Sequence, residues 1–169
     1  MKIKHRYTGR TIFESDTSSV KLCVEAAVKA KVSLRDADLH FADLSYADLS
    51  HANLDYADLD CADLDRANLS YANLAFANLN RATLNHANLN HANLYHTDLN
   101  HATLNDATLD HANLCGASLC SATLVDATLC GASLRRAIFS CENIKELSID
   151  QLRDIEFCRT SANTAGGPA

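Results

Sequence analysis

The sequence predicts an all-β solenoid, because one five-residue pattern repeats through most of the chain of 169 residues. From Leu34 to Phe139 every fifth residue is Leu, with Phe at the last position, and the residue two before it is almost always Ala. These 22 units follow one another without an insertion. A repeat this regular indicates a stack of equivalent units in place of a mixed globular core.

A period of five residues excludes a straight helix and a flat strand. In an α-helix five residues turn about 500°, so successive Leu side chains would spread around the whole surface. In a strand, side chains five residues apart point to opposite faces. The pattern fits a chain that repeats a short extended piece and then turns, with Ala and Leu directed inward and the other three positions outward.

The units themselves resemble the pentapeptide repeat family. The stretch from Ala37 to His51 reads ADLHF, ADLSY, ADLSH, and similar units cover about two thirds of the chain. The resemblance implies a right-handed quadrilateral β-helix with four units in each coil of about 20 residues. On that basis the rod has about 5.5 coils and is roughly 26 Å long at ~4.8 Å per coil.

This fold predicts a core of stacked Leu side chains and polar ladders on the surface. Residues 20 apart stack, so like side chains should hydrogen-bond from coil to coil. Thr97, which replaces Ala at an inward position, should bury its hydroxyl against a carbonyl. The ladders expected are Asn53, Asn73, Asn93 and Asn113; Thr83, Thr103 and Thr123; and Asn80 with Asn100. The core positions singled out are Leu39, Leu59, Leu79, Leu84, Leu99, Leu119 and Phe139.

The N-terminal residues 1–31 are predicted to form a β-hairpin and helix that cap the solenoid. Ile3 to Tyr7 and Thr11 to Glu14 have strand character, with Gly9 as the turn between them. Ser18 or Ser19 should cap a helix from Val20 to about Ala30. The stripe of apolar residues on this helix should lie over the first coil, because a β-helix exposes open backbone at its ends.

The other boundaries place the β-helix at 32–144, a C-terminal capping helix at 145–160 and a disordered tail at 161–169. Ser148 should cap a helix from Ile149 to about Phe157. This helix is either a lid on the last coil or the contact of a homodimer, since some members of the family that the chain resembles dimerise through this end. Its apolar residues are Leu152, Ile155 and Phe157.

Charge is distributed unevenly along a chain of net charge −6. Residues 1–35 carry eight Lys or Arg and three acids, whereas 36–65 contain nine Asp and neither Lys nor Arg before Arg66. An acidic surface disfavours nucleic acid and suits a basic protein partner, although the acids could serve solubility alone. We call eight of them the acidic belt: Asp38, Asp43, Asp48, Asp55, Asp58, Asp60, Asp63 and Asp65.

Aromatic residues overlap the acidic belt and complete the candidate partner-binding surface. They occupy the second position after Leu, where side chains face outward. Tyr suits contact surfaces, because it combines apolar area with a polar tip, but simple stacking between coils would also explain the pattern. Tyr56, Phe76 and His96 should stack on one side, and His51, Tyr71 and His91 on another. The aromatic members of the surface are Tyr46, Tyr56, Tyr71 and Phe76.

No catalytic, cofactor or metal site is predicted. His86, His91, His96 and His101 follow at five-residue steps and therefore face different directions, while His91 and His111 stack without a further ligand. Cys115, Cys120 and Cys130 share a register on different sides and are interpreted as reduced outward thiols. No nucleophile–base pair or phosphate-binding loop is present.

Two functions from different classes remain. The first is a non-catalytic structural or interaction scaffold, cytoplasmic and without a membrane span, that is a monomer or a homodimer. The second is an inhibitor or protector of a type II topoisomerase, since some members of the family that the chain resembles mimic a DNA duplex. Confinement of the acids to one end argues against the second.

Overall fold

The computed structural model describes residues 1–140 and the backbone of a short strand beyond them. Two small sheets lie at its two ends, and a stack of isolated parallel bridges joins them. The elements are β1 (Lys2–His5), β2 (Thr11–Glu14), α1 (Val20–Lys29), β3 (Ala37–Asp38), β4 (Ser118–Leu119), β5 (Ile138–Phe139) and β6 (Glu156–Phe157).

The repeat region coils with a period of 20 residues. Parallel bridges join the residue before each inward Leu to its equivalent one coil later, from Asp38 with Asp58 to Asn113 with Ser133. Four five-residue units therefore complete one coil, as the resemblance implied. We number the four sides of a coil by the central residues Leu54, Leu59, Leu64 and Leu69, so that side 1 contains Leu54 and side 4 contains Leu69.

Each unit turns at the second residue after Leu, which has a left-handed backbone. From Asp36 to Arg136 the non-glycine residues at this position have φ between 53° and 61°. The next Ala N–H donates to the carbonyl of the Leu three residues earlier, for example Ala42 to Leu39 at 3.1 Å. A closed four-residue turn with positive φ at its third residue is typical of type II. Sequence analysis placed these side chains outward but did not identify the turn.

The unit 62–66 illustrates how the backbone N–H groups are satisfied. Two donate to the next coil, one donates to the preceding coil and one closes a turn. The fifth belongs to Asp65 and donates to Oδ1 of Asp63 at 3.0 Å, which explains Asp or Asn before Leu. The four backbone bonds are Ala62 N–H to Leu59 O, Asp63 N–H to Ala42 O, Leu64 N–H to Thr83 O and Arg66 N–H to Asn85 O.

In five units where Thr or Ser precedes Leu, the preceding coil supplies the missing acceptor. The N–H of Cys120, which follows Ser118 and Leu119, donates to Oδ1 of Asn100 at 2.8 Å. Asn100 stands one coil earlier, so an acceptor within the unit has been replaced by one between coils. The same exchange occurs from Asn105 to Asn85, Asp110 to Asn90, Val125 to Asn105 and Cys130 to Asp110.

The polar ladder along side 1 is present as predicted. Nδ2 of Asn73, Asn93 and Asn113 each donates to Oδ1 of the Asn one coil earlier, at 3.4, 2.9 and 3.1 Å. The Thr83, Thr103 and Thr123 column is stacked by backbone bridges, but the buried Thr103 hydroxyl has no hydrogen-bond partner among the described residues. Asn80 and Asn100 stack without a bond between their amides.

The core is one continuous column of apolar side chains. All seven core positions singled out from the sequence are buried, with Leu39 at 2 % exposure and the other six at 0 %. Thr97 is also fully buried, and its hydroxyl donates to the Leu74 carbonyl at 2.7 Å, as predicted. Ile3, Val24 and Ala27 join the same core from the N-terminal elements.

The N-terminal hairpin and helix cover the first coil. β1 pairs antiparallel with both β2 and β3, so it occupies the backbone edge that a preceding coil would fill. Ser19 caps α1 by accepting from the Leu22 N–H at 3.5 Å. Oε1 of Glu25 accepts the Asp48 N–H at 2.9 Å, and Nζ of Lys21 donates to the Ser45 carbonyl at 3.1 Å.

The C-terminal end differs from the prediction. The helix expected from Ile149 to Phe157 lies mostly outside the described residues, as do Leu152 and Ile155, but its last two residues form β6. β6 pairs parallel with β5, so the helix assignment is wrong for Glu156–Phe157. A strand edge exposes unpaired N–H and C=O groups, and an extended segment satisfies them where a helix cannot.

We expect inward and outward changes in one unit to differ sharply. Leu84→Asp places a charge at a position with 0 % exposure and should cost about 3–5 kcal/mol. Asn85→Asp keeps the oxygen that accepts the Asn105 N–H and should stay within about 0.5 kcal/mol. Thermal unfolding followed by circular dichroism measures both. Equal melting temperatures would contradict the register.

The exchange of acceptors predicts different effects for two Asn residues in one column. Asn100→Ala removes the acceptor of the Cys120 N–H and of the Ser118 hydroxyl, and should cost about 1–2 kcal/mol. Asn80→Ala is the matched control, because its side-chain amide forms no hydrogen bond within residues 1–140 and the change should be nearly silent. Urea unfolding of both variants provides the comparison, and a larger loss for Asn80→Ala would refute the exchange.

Candidate functional site

The structure divides the acidic belt among all four sides of the rod. Its members occupy the residue before Leu or the first residue after it, so neighbouring units direct them differently. The belt is therefore a ring around the first coils, and it does not form one acidic face. Side 1 holds Asp55; side 2 holds Asp38, Asp58 and Asp60; side 3 holds Asp43, Asp63 and Asp65; and side 4 holds Asp48.

Basic side chains contact several belt carboxylates. Oδ2 of Asp58 lies 3.7 Å from Nη2 of Arg6, and Oδ1 of Asp58 accepts from Nδ2 of Asn78 at 2.9 Å. Arg35 contacts Asp55, and Arg66 lies 3.6 Å from Asp65. The side chain of His40 bonds to Asp38, and this hydrogen bond raises the pKa of His40. These carboxylates are partly neutralised within the chain.

Three belt carboxylates at the junction of sides 2 and 3 have no salt bridge within the described residues. They are Asp43 and Asp63, which stack one coil apart, and Asp60, three residues before Asp63. The Asp43 carboxylate accepts from the Ser45 hydroxyl at 2.7 Å and from its N–H at 3.1 Å. These bonds lower the pKa of Asp43, so it is charged at neutral pH.

The two most exposed aromatic residues of the repeats flank Asp43. Phe41, at the turn from side 2 to side 3, is 70 % exposed, and Tyr46, at the turn from side 3 to side 4, is 61 % exposed. The Tyr46 hydroxyl accepts from Nη1 of Arg66 at 2.5 Å. We call Phe41, Asp43, Tyr46, Asp60 and Asp63 the acidic corner. Phe41 was not among the site residues predicted from the sequence.

The remaining aromatic residues of the candidate surface are held in two ring stacks, as their 20-residue spacing predicted. On side 4 the rings of His51, Tyr71, His91 and His111 lie 5.0, 4.7 and 5.0 Å apart and within 10° of parallel. On side 1 the rings of Tyr56, Phe76 and His96 lie 4.8 and 5.6 Å apart. The Arg35 guanidinium covers Tyr56 at 4.5 Å. Tyr56 is half-buried and is therefore less available to a partner than the exposed Phe41 and Tyr46.

The histidines and cysteines form no group that could hold a metal ion within the described part of the chain. Partial burial, followed by the hydrogen bond to Asp60, raises the pKa of the Cys61 thiol, which makes it a weak nucleophile at neutral pH. Cys115 and Cys130 are free thiols, as predicted. Cys120 is disulfide-bonded, so the prediction of a third outward thiol is wrong. Cysteine spacing could not predict this bond, because its second cysteine is not one of the other four described cysteines, which are all free.

No helix in the described residues is long and apolar enough to cross a membrane.

Comparison with known proteins agrees with the repeat geometry. The family model for pentapeptide repeats matches eight copies in residues 33–70, 67–106 and 97–136. The chain therefore belongs to the pentapeptide repeat family, whose fold is a right-handed β-helix. No curated protein matches the chain.

Solved structures of other pentapeptide repeat proteins are similar. Rfr23, from the cyanobacterium Cyanothece 51142, is 37 % identical with a TM-score of 0.46, over 54 % of this chain and 59 % of that one. QnrB1, a plasmid-mediated fluoroquinolone resistance protein, is 18 % identical with a TM-score of 0.66, over 76 % of this chain and 65 % of that one. A pentapeptide repeat protein from the thylakoid lumen of Arabidopsis thaliana is 27 % identical with a TM-score of 0.48, over 74 % of this chain and 85 % of that one. The chain thus spans less than two thirds of the first two relatives.

Acid should destabilise the protein partly through Asp43 and Asp48. Bonds from Ser45 and Ser50 lower the pKa of these two carboxyls below 3.8 in the folded chain. Their contribution is present above the unfolded value of 3.8 and is lost as pH falls through the lowered pKa. Asp43→Asn with Asp48→Asn keeps the bonding oxygens and should flatten this loss in urea unfolding between about pH 5 and 2. Asp126→Asn is the control, and an equal flattening there would contradict the assignment.

Proposed function

We propose that the chain is a non-catalytic scaffold that binds a basic protein partner through the acidic corner. The observation that carries the proposal is the position of Phe41 and Tyr46 on either side of the unpaired Asp43. Exposed aromatic residues supply contact area, and unpaired carboxylates attract a basic partner from a distance. The wider surface predicted from the sequence is narrowed to this corner, because Asp55, Asp58 and Tyr56 are engaged within the chain.

The rigidity of the support favours such a role. The corner is built on backbone that is hydrogen-bonded to the neighbouring coil and, through Lys21 and Glu25, to α1. Little side-chain or loop ordering is therefore needed when a partner binds. We take the full architecture to be a rod of about 5.5 coils, roughly 26 Å long, capped by residues 1–31.

The location of the protein remains a prediction. An odd count of seven Cys without paired spacing predicts a cytoplasmic location, whereas disulfide bonds such as that of Cys120 are rare in a reducing compartment. Whether the chain acts as a monomer or as a homodimer through its C-terminal end also remains a prediction.

The test removes the corner without disturbing the turns. Asp43→Asn, Asp60→Asn and Asp63→Asn with Phe41→Ala remove three charges and the exposed ring but keep the oxygens that accept backbone N–H groups. We expect the proteins captured by the wild-type chain to be basic, to elute between about 50 and 300 mM salt, and to be lost with this variant. Quantitative mass spectrometry of the captured proteins provides the measurement.

A distal variant of equal charge change is the control for this test. It combines Asp98→Asn, Asp110→Asn and Asp126→Asn with Val125→Ala, where Val125 is 55 % exposed. This variant should capture the same partners as the wild-type chain. Loss of capture with the distal variant alone would overturn the proposal and leave the corner a solubility feature. Asp58→Lys and Tyr56→Ala are less suitable as tests of partner binding, because Asp58 contacts Arg6 and Tyr56 contacts Arg35 within the chain.

The second candidate function is occupation of the DNA site of a type II topoisomerase. The acidic ring around the first coils is the observation that favours it, and the resemblance to QnrB1 at 18 % identity supports the fold alone. Acid is sparse beyond Arg66, whereas a DNA mimic should carry charge along its length. Inhibition of purified gyrase in a supercoiling assay by the wild-type chain, but not by the corner variant, would favour this candidate over the scaffold.

A further inference from the structure

A cleft lies on side 1, at the opposite end of the repeats from the acidic corner. It has a volume of about 250 Å³. Its lining combines rings, a thiol and two guanidinium groups, which is unusual in a rod whose outer face is mainly Asn, Thr and Ser. The lining residues are Tyr95, His96, Cys115, Gly116, Arg135 and Arg136.

The cleft exists because an aromatic column stops at a glycine. Gly116 occupies the position below His96 in the column that begins with Tyr56 and Phe76. The His96 ring lies against Gly116 so closely that a Cβ there would approach the ring to 2.6 Å. The backbone φ of Gly116 is +70°, so a side chain would also be strained. The coil of Gly116 therefore contributes no side chain to the column.

Arg136 follows Gly116 in the same column, one coil further on. Coils are about 4.8 Å apart, so the backbones of His96 and Arg136 are separated along the rod by roughly 10 Å. A ring that stacks on another ring or on a guanidinium group lies about 4.5–6 Å from it. A planar group in the cleft can therefore contact both the His96 ring and the Arg136 side chain, which line it. The start of the column has a related arrangement, since the Arg35 guanidinium lies 4.5 Å from the Tyr56 ring.

Neither arginine of the cleft forms an ion pair in the part of the chain that the structure describes. Arg6, Arg35 and Arg66 each contact a carboxylate, whereas Arg135 and Arg136 contact none within the described residues. The backbone beneath them is fixed, because the Gly116 N–H donates to the Arg135 carbonyl at 2.8 Å. Two adjacent guanidinium groups without a partner are suited to bind a carboxylate or a phosphate.

The ring that lines the other wall is also held in place. The Tyr95 ring lies edge-on to His96 at 4.3 Å and to Phe76 at 5.4 Å. Tyr95 is 39 % exposed and lines the cleft, so part of its side chain is open to solvent. The cleft thus offers a flat surface and a separate anion-binding edge.

We propose that this cleft binds a small planar aromatic ring that carries a carboxylate or a phosphate. The ring stacks between His96 and Arg136 above Gly116, and the anion lies against Arg135 and Arg136. The proposal is independent of the partner-binding role of the acidic corner, from which this cleft is separated by about three coils.

Two fluorescent probes test whether the cleft binds a carboxylate or a phosphate. Naphthoate supplies a planar ring with a carboxylate, and naphthyl phosphate supplies the same ring with a phosphate. The chain contains no Trp, so the fluorescence of naphthoate can be followed directly. Saturable binding of either probe supports the proposal, and the tighter one identifies the anion as carboxylate or phosphate. Absence of saturable binding of both at millimolar concentration would overturn it.

Variants test the two arginines against a matched control. Arg135→Gln and Arg136→Gln should each weaken binding about tenfold. Arg81→Gln removes the same charge at the same turn position, with the same left-handed backbone, but on side 2, and should change affinity by less than about twofold. Equal weakening by Arg81→Gln would show unspecific attraction and refute the site. Melting curves establish that the variants remain folded.

Two further measurements test the ring itself. Cyclohexanecarboxylate has the charge without the planar ring and should bind at least about tenfold more weakly than naphthoate. Naphthoate should shift the nuclear magnetic resonance signals of the His96 ring, and those of His101 on side 2 should not move. Equal affinity of the two carboxylates, or shifts confined to other residues, would contradict stacking in this cleft.

Discussion

Hydrogen bonding between coils, at a separation of 20 residues, is the interaction on which the rest of this structure depends. It uses three of the five N–H groups in the unit 62–66, while the turn and the Asp side chain use the other two. Because every coil then repeats the last, each outward position becomes a column. The amide ladder, the ring stacks and the cleft at Gly116 are all consequences of this single register, and none of them requires a long-range contact of another kind.

Left-handed backbone at every turn would normally favour Gly or Asn. Here the position holds Tyr, Phe, His and Arg, and only Gly116 and Gly131 follow the usual preference within the repeats. The turn bond and the bonds to the neighbouring coil hold the conformation, so the strain of each residue is offset by its neighbours. Stacked rings add contact at the same position. The outward side chains therefore have both a structural and a surface role, and exposure alone does not separate the two.

Much of the fold could be predicted from the sequence because the period of five is so strict. The inward Leu and Ala followed from spacing, and the Asn ladder and both ring stacks followed from the coil of four units that the resemblance to the pentapeptide repeat family implies. The turn geometry did not, since spacing carries no information on φ. Nor did the exchange in which Asn100 replaces a missing acceptor for Cys120, because it depends on a residue one coil away. The C-terminal strand does not follow from the sequence either, because the N-cap signal at Ser148 carries no information on the open edge of β5.

The candidate site was predicted less well. Sequence placed the acids and aromatic residues in the same coils, but it could not assign them to sides until the four-unit coil was applied to each residue. On the four-unit coil, Asp48 and Asp55 lie away from the acidic corner, whereas Phe41 belongs to it. Ion pairs with Arg6 and Arg35 depend on the folding of the N-terminal segment over the coils. They could not be read from the repeat itself.

The 20-residue coil also constrains how such a chain can change length. Insertion or deletion of one whole coil leaves every column intact and moves the ends of the rod by about 4.8 Å. Insertion of a single five-residue unit preserves the core but rotates everything beyond it by one side. Rings would then lie over the turn residues of a different side, and an insertion between His96 and Gly116 would separate these two residues. Gene duplication can therefore lengthen this protein without loss of its surface pattern only in steps of four units.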